Sequence, residues 1–134
     1  MIKIISLLLL ISTFLIADYT KKLPRKSFVE SGIKIIDIRT EPEWVKTGVL
    51  KGSYTITFFD EKGRSDIRAF LKELESILSS VDEKFAIICT TGSRTKKLGE
   101  YLGNKLHLNV VNLNGGINYA TSIHGGSVLV PYIK

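Results

Sequence analysis

The stretch Phe85-Ala86-Ile87-Ile88-Cys89-Thr90-Thr91-Gly92-Ser93-Arg94-Thr95 constrains this chain more than any other part of it. Four apolar residues run directly into the only cysteine of the sequence, and a polar turn with one glycine and one arginine follows. From Leu98 the apolar residues Tyr101, Leu102 and Leu106 return at i+3, i+4 and i+8, which is helical spacing. The pattern predicts a buried strand, a tight loop and the N-terminus of a helix. Backbone N–H groups at such a terminus have no intrahelical partner. The positive end of the helix and the nearby Arg94 would both favour a thiolate over a thiol. A cysteine so placed is a nucleophile or part of an anion site. The alternative is a small buried apolar residue at a strand end, where many free cysteines sit. Thr-Thr-Gly-Ser-Arg argues against it, being a polar cradle and not a core segment.

The rest of the chain repeats the strand-then-helix alternation. Residues 18–26 are polar, and Pro24 precedes a short helix expected over 26–31 and ended by Gly32. The β-branched run 33–38 predicts a buried strand that ends in Asp37-Ile38-Arg39. Pro42 suits the first turn of a short helix carrying Trp44. Residues 48–52 read as a turn, 53–59 as a strand and 60–63 as a loop. Ile67, Phe70, Leu71, Leu74, Ile77 and Leu78 mark an amphipathic helix, with Arg68, Lys72, Glu73 and Glu75 on its outer face. In the helix after the cysteine, Gly99 and Gly103 lie on one face and allow close approach to a sheet. Residues 110–113 make a fourth strand, 117–123 a final short helix, and Gly125-Gly126 frees an apolar tail over 128–133. Strands and helices in alternation, joined by short turns, give an α/β fold: a mostly parallel central sheet with helices on both faces. Ligands of such sheets bind beyond the carboxyl ends of the strands, where Cys89 and the Asp37–Arg39 segment both fall.

Several function classes drop out on composition. The chain has 134 residues, which suits one domain, and a formal charge of +6 from 19 basic and 13 acidic residues. The basic residues are dispersed, with little aromatic interleaving, so they indicate solubility and a mild attraction for anions rather than a nucleic-acid surface. A single cysteine forbids an internal disulfide and removes the second thiol that dithiol oxidoreductases use. His107 and His124 stand alone, so no metal site is expected and no cofactor is implied. At the N-terminus, Lys3 precedes an apolar run over 4–16, broken only by Ser6, Ser12 and Thr13, and Ala17 closes it. That is the pattern of a secretory signal, residues 1–17, ahead of one domain over 18–134. Thirteen residues are short for a membrane span, which needs about twenty. Leu15 is bulky for its place before the cleaved bond, so an uncleaved membrane anchor is the alternative. The expected compartment is a bacterial periplasm or the exterior, with no membrane attachment once the signal is removed.

Three segments together resemble the single-domain rhodaneses, a family of sulfurtransferases. Asp37-Ile38-Arg39 with Glu43-Trp44 is similar to the family's Asp-x-Arg segment followed by Glu and an aromatic. Cys89-Thr90-Thr91-Gly92-Ser93-Arg94-Thr95 resembles its Cys-x-x-Gly-x-Arg-Ser/Thr loop, and Leu113-Asn114-Gly115-Gly116 its Leu-x-Gly-Gly strand end. The likeness runs from about residue 23 to residue 124. Gly48 to Ser53 resembles the family's Gly-His-Ile-x-Gly-Ala, with Val49 in the place of His. Asn118, Tyr119 and Ala120 stand where a tryptophan is usual. The resemblance implies that Cys89 takes sulfane sulfur from a small anionic donor such as thiosulfate and holds it as a persulfide. A thiophilic acceptor, including a protein acceptor, then removes it. Backbone amides of Thr90 to Thr95 would ring the anion. Arg94 would offer its planar fork to an oxyanion, and Thr91, Ser93 and Thr95 would donate hydroxyl bonds. Asp37 and Arg39 read as a structural ion pair that braces the loop in preference to direct substrate contacts.

Two other functions compete. A cysteine phosphatase or arsenate reductase also uses a Cys-to-Arg anion loop, but those phosphatases place five residues between Cys and Arg. Here only Thr90, Thr91, Gly92 and Ser93 intervene, a ring better matched to one sulfur atom than to a tetrahedral phosphate. A sulfur carrier or binding module with little turnover is the second competitor.

The pattern at residues 1–17 predicts a mature protein beginning at Asp18. N-terminal sequencing of the exported protein checks this; recovery of Met1 in a soluble cytosolic fraction would overturn it.

Overall fold

The structure is a computed structural model and describes residues 19–134. The expected signal, residues 1–17, lies outside the described residues. The elements are β1 (Tyr19–Lys22), α1 (Lys26–Val29), β2 (Lys34–Asp37), α2 (Glu41–Thr47), β3 (Val49–Leu50), β4 (Tyr54–Thr55), α3 (Ile67–Ile77), β5 (Phe85–Ile88), α4 (Ser93–Glu100), β6 (Val110–Leu113), α5 (Gly116–His124) and β7 (Leu129–Val130). A π-helical turn, Tyr101–Lys105, extends α4. Five strands form one sheet in the order β1-β6-β5-β2-β4, and every pair in it is parallel. The mostly parallel α/β architecture read from the sequence is the one observed. Among the described residues no helix is long and apolar enough to cross a membrane.

The period-two alternation of β5 sends its side chains to two separate cores. Phe85, Ile87 and Cys89 join Ile36, Val110, Phe70, Leu74, Leu98 and Leu102 on the face covered by α3 and α4. Ala86 and Ile88 join Ile35, Val111, Leu113, Ile117 and Ala120 on the face covered by α5, with Phe28 and Val29 of α1 packed beside them. All four β5 residues are fully buried, which is why the strand reads as a continuous apolar run. α3 begins where the Asp66 carboxylate accepts the Ala69 N–H at 3.1 Å, and it buries Phe70 and Leu74 as its periodicity requires. His124 is structural: its Nε2 accepts the otherwise orphaned N–H of Lys26 at the start of α1, 3.1 Å away.

Three expectations are corrected. The polar segment 18–26 contains a strand, β1, paired along its length with β6. It is an edge strand whose Lys21 and Lys22 point to solvent, so it lacks the apolar signature of the inner strands. The strand expected over 53–59 reduces to Tyr54–Thr55 in the ladder. Beyond it, the N–H groups of Ile56 and Phe58 bond the carbonyls of Asp37 and Ile38 past the end of β2. The apolar tail is not free, and the turn expected over 48–52 carries its partner. β7 pairs antiparallel with β3, setting Val49 opposite Val130, and the Tyr132 ring packs on Trp44 at 5.2 Å between centroids.

Gly99 and Gly103 serve close packing, as their spacing suggests, and the residue they make room for is Tyr19 of β1. A Cβ built at Gly103 would lie 2.6 Å from the Tyr19 Cβ and 3.2 Å from its Cα and N, backbone that cannot swing aside. Gly103→Ala should therefore destabilise the domain by about 1–3 kcal/mol, read as a lower urea midpoint. Protection of the β1 amides in hydrogen exchange should fall before that of β5. An unchanged midpoint would show that β1 shifts freely and that the contact is not tight.

Candidate active site

The site is assembled from the carboxyl ends of β2 and β5, where parallel packing brings Asp37 level with Ile88. Asp37 is wholly buried and ionic, and four donors converge on its carboxylate. Arg39 gives its Nε (3.0 Å to Oδ1), its Nη2 (2.8 Å to Oδ2) and its backbone N–H (3.1 Å to Oδ1), and Trp44 gives its indole N–H (3.0 Å). Two more Arg39 N–H groups reach the Thr47 hydroxyl at 2.8 Å and the Gly48 carbonyl at 2.9 Å. A buried ion pair is tolerated when its spare lone pairs and protons are satisfied in this way. The pair ties the end of β2 to α2 through Trp44, Thr47 and Gly48.

α2 in turn delivers Glu43, whose role the sequence analysis did not foresee. Glu43 reaches back to its own helix start, accepting from the Thr40 N–H at 3.3 Å and the Thr40 hydroxyl at 3.1 Å, a capping box. It also reaches across to the cysteine loop. Arg94 Nη1 and Nη2 each donate to a Glu43 oxygen at 2.8 Å, a bidentate fork, and the Thr90 hydroxyl donates to Oε2 at 2.8 Å. The Arg94 bonds and the smaller contributions of Thr90 and Thr40 outweigh burial and hold the Glu43 carboxyl at about 2, against an ordinary 4.5. Glu43 raises the Arg94 pKa in return. The fork expected to face an external oxyanion is thus turned to an internal carboxylate. The sequence carried a signal for this in Thr40 and Glu43 three apart, but nothing local to α2 pointed to Arg94.

The loop itself closes on the sulfur. Gly92, the N-cap of α4, has φ 102° and directs its N–H onto Cys89 Sγ at 3.1 Å. The Thr95 hydroxyl lies 3.5 Å from the same sulfur. Carbonyls are drawn away from it: Ile117 N–H takes the Cys89 carbonyl at 2.9 Å, Asn118 N–H takes that of Thr90 at 3.1 Å, and Lys96 N–H takes that of Gly92 at 3.0 Å. Gly116 makes this possible, because a Cβ there would collide with the Cys89 and Thr90 carbonyl oxygens. Among the described residues the N–H groups of Thr90, Thr91, Ser93 and Arg94 have no protein acceptor, as an anion-binding nest requires. Thr91 and Ser93 are exposed and bond each other at 3.2 Å, and neither hydroxyl meets the sulfur. Cys89 is 0% exposed, closed off from solvent. Asn112 and Tyr19, absent from the expected site, complete a chain behind Thr95 that is buried as far as Asn112 and half-buried at Tyr19. Among the described residues no group of three or more His, Cys, Asp or Glu side chains could hold a metal ion.

A family profile described as "Rhodanese-like domain" matches residues 17–121. The crystal structure of a rhodanese-like domain protein from Staphylococcus aureus is similar with a TM-score of 0.59 at 22% identity, over 87% of this chain and 99% of that one. A rhodanese-related protein from Thermoplasma volcanium gives 0.57 at 23% identity, over 79% and 94%. Reduced CoADR-RHD from Bacillus anthracis gives 0.61 at 28% identity, over 84% of this chain and 18% of that one. A search of curated proteins gave no match.

The depressed Glu43 carboxyl predicts a pH-dependent contribution to stability. Its folded value lies below its unfolded one, so the contribution is complete above about 4.5 and fades as the pH falls toward about 2. The gap in melting temperature between the parent protein and Glu43→Gln should hold steady from neutral pH to about pH 5, then narrow on further acidification. A gap that stays constant down to about pH 3 would mean that the charge on Glu43 contributes nothing.

Proposed function

The chain belongs to the rhodanese-like domain family, which its residues 17–121 match, and on that premise we propose that it is a sulfurtransferase working through a persulfide on Cys89. The observation that carries the reading is the sole thiol seated under a helix N-terminus, with the Gly92 N–H at 3.1 Å and four further loop amides that have no acceptor among the described residues. The Cys89 thiolate attacks the sulfane sulfur of a donor such as thiosulfate. The donor's S–S bond breaks, and sulfite leaves with the electron pair. The outer sulfur of the persulfide is then taken by a nucleophilic acceptor, and the thiolate is regenerated. Both the thiolate and the persulfide are anions that a ring of amides stabilises.

The four-residue interval between Cys89 and Arg94 and the hold of Glu43 on the Arg94 fork weaken the phosphatase reading, because a phosphate would need both a wider ring and a free guanidinium. One further reading has its own support. The enclosure of Cys89 and the occupied fork suit a carrier whose loop is opened by a protein donor or acceptor, with slow turnover of small anions. Export to a periplasm or beyond rests on the pattern of residues 1–17 alone.

Cyanide-dependent thiocyanate release, read beside mass spectrometry of the persulfide, tests the assignment. Cys89→Ser should abolish release while the fold survives, since the swap is nearly isosteric and a hydroxyl cannot carry sulfane sulfur. Inserting one glycine after Gly92 should lower sulfur transfer and favour aryl-phosphate hydrolysis if ring size selects the substrate. A stoichiometric persulfide without turnover would select the carrier. Thiocyanate production by folded Cys89→Ser protein would end the sulfurtransferase reading.

A further inference from the structure

The Thr95 hydroxyl has one proton and three acceptors within reach: the Asn112 Oδ1 at 2.6 Å, the Gly92 carbonyl at 3.1 Å and Cys89 Sγ at 3.5 Å. Asn112 is nearest, and its amide is tied down on the far side, where Nδ2 donates to the Tyr19 hydroxyl at 3.1 Å. Asn112 is itself buried on the inner strand β6, 1% exposed, and Thr95 is 0% exposed. A buried asparagine in the middle of a parallel sheet is costly unless its bonds are made, and both of its polar ends are used here.

From this geometry we infer that Asn112, held by Tyr19, is a positioning residue that competes with the cysteine sulfur for the Thr95 proton and so sets how readily Cys89 ionises. The inference rests on the reading of Cys89 as the nucleophile. With the Thr95 proton on Asn112, the lone pairs of its oxygen face the sulfur, an arrangement that suits the thiol, whose S–H donates to Thr95. A thiolate needs the opposite arrangement, in which Thr95 donates to sulfur and the Asn112 carbonyl loses its partner. Asn112 therefore opposes the thiolate through Thr95, while the Gly92 N–H and the α4 terminus favour it. The charged groups around the loop are Arg94 on α4, Glu43 on α2, and Asp37 and Arg39 at the end of β2. All four are engaged with one another in the pairs described above, and none bonds Asn112. On the β1 side Tyr19 is titratable and feels Glu100 at the end of α4, while Lys21 and Lys22 of the same strand point to solvent. The chain runs from the sulfur to the first described residue, so the packing of β1 on β6 is transmitted to the thiol.

The test is the pH titration of thiolate ultraviolet absorbance, taken for each variant as the difference from its own Cys89→Ser partner. It needs neither access to the sulfur nor a donor. Asn112→Leu should move the midpoint down by about half to one pH unit, the worth of one released hydrogen bond. In a Thr95→Val background the same substitution should move it hardly at all, because the proton in dispute is gone. Thr95→Ser, which keeps the hydroxyl, should restore the Asn112→Leu effect. Tyr19→Phe, a change at the partly exposed end of the chain, should shift the midpoint in the same direction by less, and it decides the matter should Asn112→Leu not fold. An unmoved midpoint in Asn112→Leu, or an equal shift with and without the Thr95 hydroxyl, overturns the inference. Sulfur transfer is read separately by thiocyanate release. A flat titration with transfer intact removes the relay alone, and a shifted titration without transfer removes the function alone.

Discussion

The Asp37 carboxylate is the point on which the site depends. It is a fully buried charge, and such a charge is stable only while its donors stay in place. Its donors are what set the geometry next door: Arg39 fixes the turn out of β2, and the Trp44 indole fixes the rotation of α2. That rotation aims Glu43 across the sheet end at Arg94 and Thr90. Through this sequence of contacts a carboxylate with no hydrogen bond to the thiol determines the shape of the loop that encloses it. Removing one partner of a buried pair typically costs about 3–5 kcal/mol, and here the loss would fall on the site as well as the core.

From the opposite side the loop is held by α5. Its first amides take the carbonyls of Cys89 and Thr90, and the Gly92 N–H is left to the sulfur. Gly115 and Gly116, the N-cap and first residue of α5, are needed for approach as well as for turning, since any side chain at Gly116 would strike those carbonyls. The loop is clamped between a side-chain pair and a helix terminus. The clamp accounts for the complete burial of Cys89 and for the expectation that chemistry at this thiol is gated by loop movement.

Sequence reading succeeded where the deciding forces are local. The inner strands β2, β5 and β6 announce themselves because both of their faces are buried. α3 does so through its period and α2 through Pro42. It failed at β1, which is polar because it is an edge, and at β3 and β7, two-residue strands whose only reason to be strands is each other. Cys89, its loop and the Asp37–Arg39 pair meet at the strand ends where spacing puts them, while the Arg94 fork, expected to face an external anion, lies on Glu43. The residue that takes the fork is 51 positions away, and nothing in the local pattern marks it.

By itself the sequence determined the α/β alternation and the position of the thiol at a strand end before a helix, because each follows from spacing along the chain. Only the tertiary structure decided which partners the groups of the site keep. Glu43 on Arg94, Asn112 on Thr95 and Tyr19 on Asn112 join residues 51, 17 and 93 positions apart. The physical reason is that hydrogen bonds and ion pairs across a parallel sheet depend on strand order and register, and these are fixed by the packing of two cores that no short stretch of sequence contains.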